Sequence, residues 1–555
     1  MHRPPVSATP TVTAPAAHAG AGAVPMAPGD RARQLWRLAA VTLLGFASGL
    51  PLALTGQALQ AWLSLDGIDV ATIGFFSLVG LPYTFKFLWA PLMDRFDPPG
   101  LGRRRGWLVL TQLALAGALL AMSATPPAGA VQVFALLAVL VAFLSASQDV
   151  VIDAYRTDLL PAHERGLGAS LSVLGYRLAM ILSGGVALIW TDPANVAAAG
   201  AAGGVHWDWP AVYRLMAALM VGAALLSALA LPRLRHAAAP ASVARNDLIG
   251  FAAVVAAVAL GYVVTNQLFN PLAGWLLGSL MEATAFAASL RQRWIDLAAL
   301  LLGIGFTLPL AAWAARAAKF ETLLGGLANY FSQPGAWAFL GFIVLYKLGD
   351  AFAGSLMTPF LLKGMAYSQA EVGVVNKIIG LWLTIGGALL GGALMLKLGL
   401  WRSLMLFGVL QAASNVGFWW LAVSGKGLLP GLVVPAFDWG FLQLAQPTPV
   451  DGGLLLVIAS ENISGGMGTA AFVAFLMSLC NQRFTATQYA MLSAFAAIGR
   501  VWVGPLAGVL AESIGWPSFF IVSTLAALPA LWLLGALRGT VRLLEVESPG
   551  ASNDD

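Results

Sequence analysis

Runs of about twenty apolar residues recur along the whole chain, and a helix of that length rises about 30 Å, the thickness of a bilayer's hydrocarbon core. Charged residues are 10% of the 555 and hydrophobic ones 59%, whereas a soluble domain carries about 25% charged residues. A chain this apolar lacks the polar surface to face water, and lipid removes that need. Spanning backbone must be helical or a closed barrel. Barrel strands would alternate and be about half as long. The expected fold class is therefore an all-α polytopic membrane protein. The 61 glycines and 19 tryptophans agree with it, since glycine lets helices approach closely in lipid and tryptophan favours the interfaces. The single cysteine, Cys480, excludes an intramolecular disulfide and a cysteine-rich metal site.

Spans are expected at 38–63, 70–92, 106–124, 131–154, 167–190 and 211–230, then at 248–266 and 295–315, then at 336–361, 370–396, 403–423, 454–479, 488–510 and 516–537. These fourteen spans divide the chain into an N-terminal six-helix bundle (31–236), a central linker with two additional helices (237–335) and a C-terminal six-helix bundle (336–538). A Pro/Ala-rich tail (1–30), read as disordered, and a C-terminal tail (539–555) lie in the cytoplasm. The first is not read as a signal peptide, because no long apolar run begins before Leu38. A cytoplasmic N-terminus places twenty of the thirty Lys and Arg residues in cytoplasmic segments and four outside. A wrong span count would scramble that bias. Between the central spans, Trp275–Phe286 is too short to cross and reads as interfacial. The alternative makes 248–315 a cytoplasmic amphipathic insert. The net charge of +5 follows this topology and gives no reason to expect a nucleic-acid partner.

The two halves resemble each other. Residues 69–80 (DVATIGFFSLVG) align with 368–379 (SQAEVGVVNKII), matching Gly74 with Gly373. Residues beginning at Arg177 (RLAMILSGGVA) align with those beginning at Arg500 (RVWVGPLAGVL), matching Gly185 with Gly508. Transporters are often built from such repeats, with the substrate site near the midplane.

Ionisable side chains within the spans carry the functional signal, because each costs roughly 2.5–3.5 kcal/mol or more at bilayer depth unless paired or hydrated. Asp149 and Asp153 are one helical turn apart on one face, and Lys86 sits at similar depth as a candidate partner. These three and Glu461 are the proton-coupling candidates, with Asp149 first, since a carboxyl in an apolar site can bind and release a proton. Arg177 and Arg500 suit a carboxylate ligand through their bidentate forks. With Lys347, Asp350, Asn376, Lys377, Asn415, Asn462, Gln57 and Gln60 they form the expected substrate-binding set. Gln57 and Gln60 suit either sugar hydroxyls and amides or interhelical hydrogen bonds. For any single charge the competing reading is an ion pair that fixes helix packing. No Walker loop, HExxH motif or metal-ligand cluster is present, so no cofactor is expected and an ion gradient is the expected energy source.

The loop at 91–106 (PLMDRFDPPGLGRRRG), with Asp94, Arg95, Arg103, Arg104 and Arg105, resembles the loop signature of the major facilitator superfamily and implies a gating role. The loop at 158–166 (DLLPAHERG) resembles a second pattern of that superfamily. Residues 44–55 (LGFASGLPLALT), 85–95 (FKFLWAPLMDR), 145–154 (SASQDVVIDA), 171–178 (LSVLGYRL), 346–353 (YKLGDAFA), 371–377 (EVGVVNK), 411–415 (QAASN) and 461–481 (ENISGGMGTAAFVAFLMSLCN) are similar to the AmpG family of muropeptide permeases. That resemblance implies a major facilitator fold in a Gram-negative inner membrane. It implies proton-driven import of GlcNAc-anhydromuramyl peptides for peptidoglycan recycling, with a link to β-lactamase induction and antibiotic resistance. The implied partners are a small glycopeptide and membrane lipid, and the chain is expected to be a monomer. The rival within transport is a carrier of another anionic solute, such as a drug, a peptide or an acyl-coenzyme A. A cell-wall glycosyltransferase is the rival of another class. Its loops would need catalytic carboxylates, and here they hold scattered acids such as Asp438 and Asp451.

Overall fold

The computed structural model describes residues 28–90, 93, 97–98, 100–161, 165–201, 207–232, 244–282, 286–320, 324, 331–332, 335–438, 443–479 and 485–546. The first half is built on α1 (Pro28–Thr55), α2 (Gln57–Leu65), α3 (Val70–Phe75), α4 (Arg103–Ser123), α5 (Val131–Leu159), α6 (Arg165–Met180) and α7 (Trp209–Leu229). In the centre α8 (Ala244–Val264), α9 (Asn270–Glu282) and α10 (Ala288–Ala317) follow. The second half is built on α11 (Ala336–Tyr346), α12 (Leu348–Ser355), α13 (Gln369–Val372), α14 (Gly380–Leu398), α15 (Leu400–Ser424), α16 (Gly452–Ser478), α17 (Thr485–Ala526) and α18 (Leu528–Ala536).

Eleven runs among the described residues are long and apolar enough to cross a membrane, against fourteen expected spans. Three places account for the difference. Val70–Phe85 is apolar but short and gives way to 3-10 turns at Phe76–Gly80 and Lys86–Leu88. The polar Glu461 and Asn462, with Gly465, Gly466 and Gly468, dilute the apolarity of α16. Finally, Thr485–Ala526 is two helices that break at Gly515, whose φ of 76° lies outside the right-handed helical region.

The expected interfacial stretch at Trp275–Phe286 begins within a helix. A π turn at Thr265–Phe269 joins α8 to α9, and the helix runs on to Glu282. Proline in a helix clashes with the carbonyl four residues back, and the π turn just before Pro271 accommodates it. The two central helices pack through a reciprocal pair of small-residue contacts. A β-carbon on Gly261 would lie 2.1 Å from the Thr307 hydroxyl, and one on Gly303 would lie 2.1 Å from that of Thr265. Close backbone approach of this kind is how helices associate in lipid without a hydrophobic driving force.

The cores show how the halves meet. One apolar cluster draws on both halves, joining Leu54, Trp62, Ile73, Val186 and Met216 to Phe352, Phe360, Val372, Leu454 and Phe519. At the end carrying the arginines of α4 the halves keep separate cores. Leu44, Trp89, Leu108 and Tyr155 form one, and Phe342, Tyr346, Phe407 and Phe475 the other. The halves are thus fused at one end and divided at the basic end.

Candidate substrate pathway between the halves

Four sets of contacts seal the fused end. Thr191 donates to Gln369 Oε1 at 2.7 Å, and Gln369 Nε2 donates back to the Thr191 carbonyl at 3.0 Å. The Asp192 carboxylate accepts the Ala370 amide at 2.9 Å. Glu512 accepts the Ala71 amide at 2.9 Å, and Lys363 donates to the Ile68 carbonyl. Gln60 Nε2 donates to the Ser355 carbonyl at 2.8 Å. Of the two roles expected for Gln60, the structure shows an interhelical hydrogen bond across the halves. Gln57 is half-buried beside it.

The segment 424–453 adds a cover to this end. Two short antiparallel ladders pair Leu432–Val434 with Thr448–Val450 and Phe437–Asp438 with Gln443–Leu444. The amide of Ala445 donates to Asn195 Oδ1 at 3.0 Å, carrying the second half onto the first. Asp451 anchors the cover by accepting the amides of Gly427 and Leu454 at 2.6 and 2.8 Å.

Away from the seal, each half places polar groups along its helices. In the first half Ser48 of α1 donates to the Asp149 carboxylate of α5. Lys86 stands within electrostatic reach of Asp149, but no contact ion pair joins them. The Tyr83 hydroxyl is buried beside Ser145, Thr55 and Asp149. Asp153, expected near Lys86, instead pairs with Arg156 at 3.1 Å, and its side chain is 57% exposed. Arg177 on α6 is half-buried and makes no ion pair among the described residues.

In the second half Lys347 Nζ lies 3.2 Å from Asp350 Oδ2, and Gln411 Nε2 donates to the same oxygen at 2.7 Å. Lys347 also donates to Thr469 of α16 at 3.4 Å. A cavity of about 10 Å³ beside Asp350 and Gln411 has room for one water. Higher up, Thr384 donates to Asn462 Oδ1, and Asn462 Nδ2 donates to Glu461 Oε2, both at 2.7 Å. Asn415 reaches the Gly349 carbonyl at 3.4 Å, and Asn376 points at the Met357 sulfur at 3.3 Å, a weak acceptor.

In the basic loop Arg104 pairs with Asp158 at 3.1 Å and Arg105 donates to the Leu231 carbonyl at 2.8 Å. Arg103 opens α4 beside them. Asp94 and Arg95, and the side chains of Lys377 and Arg500, lie outside the described residues.

The chain is 42% identical over 511 residues to the anhydromuropeptide permease of Escherichia coli strain K12, covering 92% of this chain and 81% of that one. It belongs to the anhydromuropeptide permease family. A family model described as acetyl-coenzyme A transporter 1 matches residues 38–132. The permease also shares its fold with a bacterial homolog of the human lysosomal transporter Spinster, solved inward-facing and unoccupied. The TM-score is 0.56 at 13% identity, covering 93% of this chain and 99% of that one. The xylose transporter XylE of E. coli, inward open, gives 0.52 at 13% identity, over 89% and 94%. The fold is that of the major facilitator superfamily, and the chain is a multi-pass secondary transporter.

Sequence reasoning did not single out Ser48, Gln411, Thr384 or Thr469 of this permease. Each is a small or neutral polar residue whose partner lies on another helix, and single-chain spacing carries no signal for that. The repeat did carry one. The offset that matches Gly74 with Gly373 also matches Ser48 with Lys347, and both reach across to the fourth helix of their half, at Asp149 and Thr469.

Proposed function

We propose that the permease imports GlcNAc-anhydroMurNAc-peptides from periplasm to cytoplasm by alternating access, driven by protons. One observation carries this reading: each half holds a polar contact between its first and fourth helices, Ser48–Asp149 and Lys347–Thr469, toward the end where the two halves keep separate cores. The cargo offers hydroxyls and amides for Asn462 and Gln57, and peptide carboxylates for Arg177 and Lys347. Asp149 carries the coupling proton, with Glu461 and Asp153 as further acids. The basic end faces the cytoplasm of a bacterial inner membrane, a reading that the positive-inside bias of the arginines supports. Both termini lie on that side, and the working unit is a monomer without enzymatic activity or bound cofactor. Rocking of the halves about the midplane breaks the Thr191–Gln369 seal and closes the basic end.

A second reading is favoured by the match at 38–132: an acyl-coenzyme A as the anionic solute. Binding of a GlcNAc-anhydroMurNAc-tripeptide and of acetyl-coenzyme A to the purified permease, followed calorimetrically, separates the two. Saturable binding of the muropeptide, unaffected by acetyl-coenzyme A, supports the first reading. Binding of acetyl-coenzyme A alone overturns it.

A further inference from the structure

Central helix α10 grips both halves with one of its faces. Arg293, Trp294 and Leu297 stand three, four and seven positions after Leu290, which makes them one stripe of the helix. Leu290 and Leu297 pack in a single apolar cluster with Ala71 of the first half and Val509 of the second. Arg293 pairs with Asp69, the cap of α3, at 3.3 Å. Trp294 Nε1 donates to Ser513 Oγ of α17 at 2.9 Å. The stretches that α10 bridges also meet each other directly at the fused end, where Glu512 accepts the Ala71 amide.

Toward the basic end the central helices lean on the first half. Phe251 of α8 packs against the core of Leu44, Trp89 and Leu108. Val254 of α8 and Ala315 of α10 cluster with Phe320 against Leu88. Among the described residues, none of α8 or α10 joins the second half's own core of Phe342, Tyr346, Phe407 and Phe475. The first half thus holds the central helices at both ends, and the second half holds them at the fused end.

We infer that α8 and α10 form a brace, hinged on the first half and latched to the second, that favours closure of the fused end. Trp294 and Ser513 are the positioning residues of the latch. When the halves rock apart at that end, the brace keeps its contacts with the first half and travels with it. Its contacts with Ser513 and Val509 must break, because the second half moves away. These contacts exist only while the fused end is closed, so they shift the balance toward that state. The inference rests on the rocking proposed above and holds whatever solute the permease carries.

The test uses the full-length permease in a Cys480→Ser background, with spin labels on cysteines placed at Ala197 and Ser424. Both positions are exposed, and they belong to different halves. Double electron–electron resonance in proteoliposomes reads the ratio of a long, open distance to a short, closed one. Trp294→Phe keeps an aromatic ring and loses the N–H. It is expected to raise the ratio about fivefold, the change that one hydrogen bond of ordinary net strength corresponds to. Ser513→Ala should do the same, and the double variant no more than either, because all three remove one bond. Arg293→Gln acts on the hinge side, where Phe251 and Val254 still hold, and leaves the ratio unchanged. Gly373→Val is the control that opens the fused end without touching the brace, since an added β-carbon would lie 2.7 Å from the Gly185 carbonyl oxygen. A raised ratio in Gly373→Val with none in Trp294→Phe or Ser513→Ala overturns the brace and leaves the rocking standing. No long distance in any variant overturns both. A ratio raised as much by Arg293→Gln as by Ser513→Ala overturns the assignment of hinge and latch.

Discussion

Gly373 packs so tightly against Gly185 that a β-carbon on it would lie 2.7 Å from the Gly185 carbonyl oxygen, and Gly74 stands to Gly508 in the same relation, 2.7 Å from its Cα. The two contacts are mates under the internal repeat. Each joins the second helix of one half to the fifth helix of the other. Gly185 and Gly373 both sit in π turns, Ile181–Val186 and Gly373–Ile379, which are frequent at functional sites.

Valine at Gly373 overpacks this contact, at a cost of about 1–3 kcal/mol, and so favours separation of the fused end. In a Cys480→Ser background, a cysteine at the buried Val372 reports on that separation. Gly373→Val is expected to raise its labelling by a membrane-impermeant thiol reagent. Unchanged labelling would show that the contact does not hold the seal.

Ser48→Ala removes the hydrogen bond to Asp149. Bonds to charged groups contribute about 1.5–3 kcal/mol, so gradient-driven uptake is expected to fall roughly tenfold or more while expression and detergent stability hold. Ser48→Thr keeps the hydroxyl and is expected to restore most of the rate. Equal uptake by the alanine variant would separate Ser48 from coupling.

Lys347, Asp350 and Gln411 behave as one unit. Breaking a fully buried ion pair costs about 3–5 kcal/mol. Here the Lys347 and Asp350 side chains are 14% and 30% exposed, so Asp350→Asn is expected to cost about 1–3 kcal/mol. Thermal unfolding of Lys347→Met, of Asp350→Asn and of the double variant that carries both gives the coupling. The double variant should recover much of the loss. Strict additivity would mean the pair is not coupled.

Asp69 caps α3 by accepting the Thr72 amide at 2.8 Å and hydroxyl at 2.6 Å, and it pairs with Arg293 of α10 at 3.3 Å. Partial burial opposes its charge, yet the Thr72 bonds and Arg293 outweigh that and hold its carboxyl below the usual range. A depressed folded-state value means the stabilisation is present above the ordinary carboxylate pKa and is lost as pH falls through the lowered one. Asp69→Asn should therefore lower the unfolding midpoint equally from pH 8 to about pH 5, with the difference vanishing only below about pH 4. A difference gone by pH 6 would contradict this. The side chain is 39% exposed, so the effect is modest.

The apolar runs made the helices legible, because bilayer thickness imposes their length. The repeat was legible too, since Asp69 and Ser368, matched at the sequence level, both turn out to cap their helices. The 3-10 and π turns were not, because they answer to packing against another helix. The continuity of α8 into α9 was not legible either, because Trp275–Phe286 taken alone is too short to cross and the π turn that joins it to α8 carries no sequence signal. Among the site residues, the charges announced themselves by their cost in lipid. Their partners did not: Asp149 meets Ser48, 101 positions away, and Asp153 meets Arg156 within its own helix.

Accumulation of a GlcNAc-anhydroMurNAc-tripeptide in proteoliposomes, with and without an inward proton gradient, tests the central claim most directly when the unaltered permease is run beside Asp149→Asn. Uphill uptake that a protonophore collapses, and that Asp149→Asn lacks although it still binds the tripeptide, is the predicted result. Uptake indifferent to the gradient, or undiminished in Asp149→Asn, would contradict it.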